Sequence, residues 1–444
     1  MMNALIEKVV YPLWDLKDGS QRLGECRRLL RSQWSSRAEV EELQLRRLQE
    51  MIRHAFSSCS FYQRLWGSPP TIQDLSDLRS LPIVRKRDIR DAGDSLLSNE
   101  FSRGQLVETK TGGSTGTSLK LYFDVHCQEY RNAAAMRSDR WAGWRAGMWT
   151  GGLWGTPPVP RTLKERIRNQ LHDRLLFLDT MNLTPDTMRG FAQTMQERDV
   201  EALFGHAHSL FVFARFLEEQ EIRPPQVKAI IATSMMLLAS ERAVIERVFR
   251  CPVSNRYGCE ETGLIASQCE AHRGLHVNSE HLIVEILRAD GSPASPGEEG
   301  EIVLTDLVNR GMPLVRYAIE DVATWASSEC GCGRHSPVID RLVGRTADFL
   351  RRRDGSLVAG VSLVEKTLTA IRGVSQLQIV QNSMTQFELN VVPDSEFSQA
   401  TIDALCGVIR DVFGADIQVT TNTLGALPQE LNSKYRFAIC RLQA

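Results

Sequence analysis

The chain has 444 residues, 42% of them hydrophobic, and a net charge of −1 at neutral pH. That composition excludes disordered and fibrous classes, and the length exceeds what one hydrophobic core usually organises, so at least two domains are expected. The charge leaves no overall field to gather nucleic acid or anionic lipid, and the short basic runs at 85–90 and 351–353 read as solvated faces.

Along the chain, Ser36-Arg37-Ala38-Glu39 has the form of a capping box. Val40, Leu43, Leu48, Met51, Ile52 and Ala55 follow at helical spacing, so the N-terminal region is expected to be helical and amphipathic. Short apolar strands then alternate with helices: LKLYF near 120, VKAIIATS near 230, HLIVEIL at 281–287 and EIVLTDL at 301–307. The Gly/Pro/Ser-rich segment between the last two reads as a long hairpin connection. The longest apolar stretch, 229–239, is too short to span a bilayer, and the first residues lack a cationic leader with a cleavage site; a cytoplasmic protein without a membrane span is expected. From about 345 the pattern becomes helix (361–371), strand (377–381), strand (387–392), helix (398–413) and strand (417–421), an order that suits a small α+β lid.

Ten cysteines in a reducing compartment are not a disulfide framework. Six are scattered among apolar neighbours and read as small buried hydrophobes, whereas Cys269, Cys330 and Cys332 with His276 have the donors of a closed tetrahedral zinc site. The turn at Gly331 brings two sulfurs together, and His272 is an alternative fourth ligand. The competing reading is unrelated thiols and a surface histidine.

Between Lys110 and Asp124 the sequence KTGGSTGTSLKLYFD sets three glycines among hydroxyl residues between two strand-like stretches. Glycine permits the dihedrals and close approach with which backbone N–H groups wrap a phosphate chain, and a plain turn is the alternative. The P-loop pattern fails, because neither Gly112 nor Gly113 has a glycine five residues later. The segment instead resembles the phosphate loop of AMP-forming adenylating enzymes. Four further stretches follow in the order of that superfamily's core motifs: 255–263 (NRYGCEETG), Gly300–Asp306 continuing into 312–321 (MPLVRYAIED), Gly344-Arg345-Thr346-Ala347-Asp348, and Lys434. With LPIVRKRDIR at 81–90 and Cys-Gly-Cys-Gly-Arg at 330–334, the chain is similar to the phenylacetate–CoA ligase-like, CapK branch from about residue 30 onward.

That resemblance implies an α/β adenylate-forming fold. A large multi-sheet N-terminal domain at 1–344 would hold ATP and acyl substrate, and a mobile α+β lid would occupy 345–444. It implies that Thr111, Gly112, Gly113, Ser114, Thr115, Gly116 and Thr117 hold the β and γ phosphates, with Thr115 among the catalytic residues. Glu261 would reach Mg²⁺, Tyr257 and Gly258 would lie beside adenine, Asp321 would accept from the ribose hydroxyls, Arg345 would contact ribose or phosphate, and Lys434 would stand between carboxylate and α-phosphate. Such chemistry calls for oriented donors, a cation and a metal ion rather than a general base.

The chain departs from the family pattern at Ile319-Glu320-Asp321, where Thr-Gly-Asp is usual, at Ala347, and at Met235-Met236. Trp141, Trp144, Trp149 and Trp154, with Phe204, His206 and His208, offer walls for an acyl pocket, against a competing reading as core packing. The activity implied is ATP-dependent activation of a carboxylic acid as acyl-AMP, then transfer to CoA, a carrier-protein thiol or an amine, by a monomer or homodimer with structural Zn²⁺. Alternatives are nucleotidyl transfer to a small-molecule hydroxyl and a zinc-stabilised non-catalytic binding protein.

Overall fold

A mixed sheet of eleven strands forms the backbone of the larger part of the molecule. The computed structural model describes residues 2–110, 119–155, 160–180, 182–345, 349–354, 356–428 and 436–442. One half of the sheet is parallel, with strands Leu175–Asp179, Thr150–Trp154, Ala202–His206, Ala229–Thr233 and Val253–Cys259 side by side. Helices Pro185–Glu197, Ala207–Glu219 and Ala239–Phe249 connect or follow these strands, and their apolar faces supply Phe191, Phe213 and Ile245 to the core. Parallel strands covered this way read as continuous apolar runs, as in AIIAT at 229–233.

The other half is antiparallel. From Val253–Cys259 the order continues through Gly263–Ser267, Leu275–Val277, Val338–Arg345, Tyr317–Trp325 and Glu299–Asp306 to Leu282–Leu287. The expected long hairpin is present, with Leu282 opposite Asp306 and Leu287 opposite Glu301.

The amphipathic helix runs Arg37–Ser58 and carries the expected capping box: Ser36 accepts from the Glu39 N–H, and Glu39 accepts from the Ser36 N–H. It packs with helix Val125–Trp141 in a core that also holds Tyr62, Phe123 and Tyr317. Arg137 fixes this helical layer to the sheet, since its guanidinium donates to Glu280 at 2.6 Å and to Asn278 at 2.7 Å, while Ser32 donates to the same glutamate. The motif at 81–90 adds a short parallel bridge from Val84 to Tyr317 and then enters helix Lys86–Ala92.

The small C-terminal domain has a four-stranded sheet in the order Gln418–Thr423, Gln386–Pro393, Val374–Gln381, Ala438–Cys440. Helices Gly360–Ala370 and Gln399–Phe413 accompany it, close to the positions expected from the sequence. Leu238, from the loop before helix Ala239–Phe249, is buried within this domain's core, with Met235 and Met236 packed alongside.

Candidate active site

The glycine-rich segment joins two strands, Leu106–Lys110 and Lys120–Asp124, paired antiparallel with Lys110 opposite Lys120. Thr111, Gly112, Gly113, Ser114, Thr115, Gly116 and Thr117 themselves lie outside the described residues, as does Lys434. What the structure describes is how the base of the hairpin is held. Asp124, buried at its end, caps the following helix by accepting from the Cys127 N–H at 2.8 Å, and its other oxygen accepts from the Arg310 N–H at 2.8 Å. Asn309 donates to the Tyr122 carbonyl at 3.0 Å. The hairpin is therefore pinned to the chain segment that runs directly into strand Tyr317–Trp325.

A second tie reaches the Tyr257–Thr262 turn. Arg131, from the helix that follows the hairpin, lies over the Phe123 ring at 3.9 Å and donates to the Glu260 carbonyl at 3.0 Å. The turn is tight. A Cβ on Gly258 would stand 2.5 Å from the Gly263 carbonyl oxygen, and Gly263 itself has φ +77° with Arg131 Nε only 2.7 Å from where its Cβ would be. Only glycine fits at either position without moving backbone or Arg131.

Two tyrosine–carboxylate bonds organise the part of the sheet beside this turn. The Tyr257 hydroxyl donates to Asp321 Oδ2 at 2.6 Å, and the Tyr317 hydroxyl donates to Glu261 at 3.1 Å. Burial and then the adjacent Glu261 carboxylate push the Tyr317 phenol well above its ordinary pKa, so it stays a donor. Asp321 pairs across the antiparallel ladder with Arg345, which puts these two residues side by side on neighbouring strands. Thus Tyr257, Gly258, Glu261, Asp321 and the backbone of Arg345 come together at one place in the antiparallel half of the sheet. Tyr317, Arg131 and Asp124 are the supporting residues to which the sequence alone assigned no role. For Asp124, an acid at the end of an apolar strand and three residues before a helical N–H was a readable capping signal.

Glu320 occupies the place where glycine is usual and has φ +65°, the left-handed region a branched or long side chain enters at a cost. The departure seen in the sequence is thus also a conformational one.

The cysteine set converges. One donor atom from each of Cys269, His276, Cys330 and Cys332 lies within 4.8 Å of the others. Cys269 Sγ is 3.7 Å from Cys330 Sγ, and Cys332 Sγ is 3.4 Å from His276 Nε2. His276 joins the group and His272 does not. Burial, with Arg334 nearby, lowers the His276 pKa to about 4, so its ring is neutral and its nitrogen lone pair is available. Behind it, Arg334 is held between the rings of Trp34 at 4.6 Å and Trp141 at 4.4 Å and pairs with Glu270 at 2.8 Å.

The four tryptophans that crowd together in sequence separate in space. Trp141 stands beside His276, Trp144 donates to Thr150, and Trp149 is buried with Arg174 and Arg198 over its ring. Only Trp154 meets the other aromatic candidates, stacking on Phe204 at 5.3 Å and contacting His206 at 4.3 Å. His208 pairs with buried Glu241 and touches Phe437 of the C-terminal domain, ring centroids 5.4 Å apart.

Residues 350–441 match the CapK C-terminal domain. Protein CapK of Staphylococcus aureus is 23% identical over 430 residues, covering 94% of this chain and 91% of that one. The phenylacetate-coenzyme A ligase of Escherichia coli (strain K12) is 23% identical over 338 residues, covering 70% and 72%. Among solved structures, 2-hydroxyisobutyryl-CoA ligase in its postadenylation state superposes with a TM-score of 0.74 at 18% identity, over 91% of this chain and 90% of that one. The C-terminal part of the chain thus matches the CapK C-terminal domain, the chain as a whole is similar to CapK and to phenylacetate–CoA ligases, and it has the fold of the CoA-ligase structures.

Proposed function

We propose that the chain is an AMP-forming ligase that activates a carboxylic acid as acyl-AMP, releases pyrophosphate and passes the acyl group to CoA. The observation that carries this reading is the set of contacts that gathers these segments. The base of the glycine hairpin, the Tyr257–Glu261 turn and the Asp321/Arg345 pair are tied together by Asp124, Arg131 and two tyrosine hydroxyls. The relatives include phenylacetate–CoA ligases beside CapK, and the structural neighbour binds an acyl-AMP, which supports the same chemistry here.

In this reading, residues 111–117 hold the β and γ phosphates, with Thr115 among the catalytic residues. Asp321, held by Tyr257, accepts from the ribose, Tyr257 and Gly258 flank the adenine, and Arg345 approaches ribose or phosphate. Glu261 has one oxygen occupied by the Tyr317 hydroxyl, which fixes the carboxylate, and it is the residue that would hold Mg²⁺. The magnesium ion, when bound, neutralises phosphate charge; Glu261 and Tyr317 set where it sits. Lys434 supplies an ammonium between the acid and the α-phosphate. Domains of 1–344 and 345–444 turn on the 345–348 linker, the second delivering Lys434 for adenylation and withdrawing it for transfer. Cys269, His276, Cys330 and Cys332 hold a structural Zn²⁺, for which three sulfurs and one neutral imidazole are a fitting donor set. A cytoplasmic setting follows from a reaction that needs ATP and CoA and from thiols that must stay reduced.

Pyrophosphate exchange into ATP across a panel of carboxylic acids tests the reading. Exchange that needs an acid and is lost in Lys434→Ala supports it. Exchange that needs a hydroxyl acceptor instead would make the protein a nucleotidyltransferase, and absence of ATP binding would make it a non-catalytic binding protein.

A further inference from the structure

Eleven large apolar side chains are exposed among the described residues, and seven of them sit on two helical segments that touch each other. The first is a helix at 2–18 that continues through a π-turn at Ile6–Val10. Its Leu5, Val9, Leu13 and Leu16 recur at intervals of four, four and three, and their exposures reach 62% at Leu13 and 79% at Leu16. The second runs from Leu163 to Asp173, and Leu163, Ile167 and Leu171 recur every four residues, with Leu163 74% exposed. Such spacing lines one face of a helix, and here that face looks away from the core. The two segments meet through His172, which stacks on Tyr11 at 4.1 Å and contacts Trp14 at 5.3 Å.

The charges on both helices follow one pattern. Helical spacing puts Lys8 and Lys17 on either side of the first apolar stripe and Lys164 and Arg166 on either side of the second. All four cations are exposed. Three of the carboxylates are engaged within the molecule, Glu7 with Arg140, Asp15 with Arg22, and Asp173 with His172, and exposed Asp18 lies by helical spacing on the side opposite the apolar stripe. Glu165 accepts the backbone N–H groups of Arg161 and Thr162. The net charge of −1 for the whole chain thus conceals a surface whose outward face is apolar with a cationic border.

We propose that these two helices are a docking surface for the anionic face of a membrane, on which the protein lies without crossing it. Leucines entering the headgroup boundary, with lysine and arginine stems spreading sideways to reach lipid phosphates, are the arrangement such helices use. Charge complementarity decides between this and a second copy of the chain. Pairing the surface with itself would set cationic border against cationic border, whereas an anionic bilayer neutralises it. No described helix is long and apolar enough to cross the bilayer.

The test is co-sedimentation of the full chain with vesicles of phosphatidylcholine alone and of phosphatidylcholine with phosphatidylglycerol. Binding is expected only to the anionic vesicles, and it should weaken strongly between 0.1 and 0.5 M salt as the charge contribution is screened, the Debye length falling from about 10 Å to roughly 4 Å. The exposed pair Leu13→Glu with Leu163→Glu should lower the partition coefficient by about tenfold or more. A second variant, Lys8→Glu with Lys164→Glu, should abolish the preference for anionic lipid while leaving acid-dependent pyrophosphate exchange unchanged. Absence of binding to anionic vesicles overturns the proposal. So does a wild-type dimer in light scattering that Leu13→Glu with Leu163→Glu converts to monomer without vesicle binding, because the occupant is then a second copy.

Discussion

The Tyr257 hydroxyl donates to Asp321 across 2.6 Å, joining the strand that leads into the glutamate turn to the strand that pairs with Arg345. Tyr257→Phe keeps the ring and removes this bond, and hydrogen bonds to charged groups contribute about 1.5–3 kcal/mol. Asp321 then loses its fixed orientation, so the KM for ATP in pyrophosphate exchange is expected to rise by about tenfold, equivalent to roughly 1.4 kcal/mol. Asp321→Ala should raise it further, and equal KM values for wild type and Tyr257→Phe would remove the orienting role.

Glu261 receives the hydroxyl of Tyr317 and nothing else of that kind among the described residues. Tyr317→Phe should shift the magnesium dependence of exchange to higher concentration while leaving the ATP-saturated rate within about threefold, because positioning rather than charge is lost. Glu261→Gln removes the charge, and a fall of about a hundredfold in kcat is expected. Magnesium titrations of the two variants distinguish these outcomes.

The converging donors at Cys269, His276, Cys330 and Cys332 predict one equivalent of zinc in freshly purified protein, measured by metal analysis. Cys332→Ser or chelation should lower the melting temperature and loosen the chain between 269 and 340, read as faster hydrogen exchange there. Less than half an equivalent of metal in wild type would contradict the site.

Glu280 is buried against Arg137. Burial alone would raise its carboxyl pKa, but the Arg137 charge, its hydrogen bond and that of Ser32 outweigh burial and hold it below the ordinary value. A carboxylate lowered on folding contributes stability that is complete above its unfolded pKa, about 4.3, and drains away as pH falls through the folded value. Stability measured by urea unfolding should therefore decline below about pH 4, and Glu280→Gln should flatten that decline. Arg137→Met leaves the carboxylate buried without its counter-charge and should cost about 3–5 kcal/mol at neutral pH.

Glu320 pays for a left-handed backbone that glycine adopts freely. Glu320→Gly is expected to raise stability by roughly 0.5–1 kcal/mol, seen as a higher melting temperature. A lower one would mean that the side chain contributes more than its backbone costs.

The elements legible in the sequence are those whose signals are local. Helix Arg37–Ser58 announced itself through Ser36 and Glu39, and the hairpin of Leu282–Leu287 with Glu299–Asp306 through its turn composition. Strand Thr150–Trp154 was hidden because TGGLW reads as a turn. In the sheet Gly151 and Gly152 make room for neighbours, since a Cβ at either would lie 2.8 Å from Leu203 or 2.6 Å from the Phe177 ring. The cysteine cluster was readable because C-x-C with a histidine restricts the chemistry, while the bond from Tyr317 to Glu261 joins residues 56 positions apart that no spacing rule connects. Of the two readings the tryptophans allowed, Trp149 takes the core-packing one, and closeness along the chain says little about closeness in space.

The order in which the large sheet is assembled has a consequence for synthesis. Leu275–Val277 finds its second neighbour only in Val338–Arg345, through His276 opposite Val338. A growing chain must therefore hold the edge of Leu275–Val277 open while some sixty residues emerge, and such unfilled edges attract wrong partners. Folding of the antiparallel half should wait for its last strand, which makes this half the slow step of maturation and the first place where a nascent chain would need a chaperone's protection.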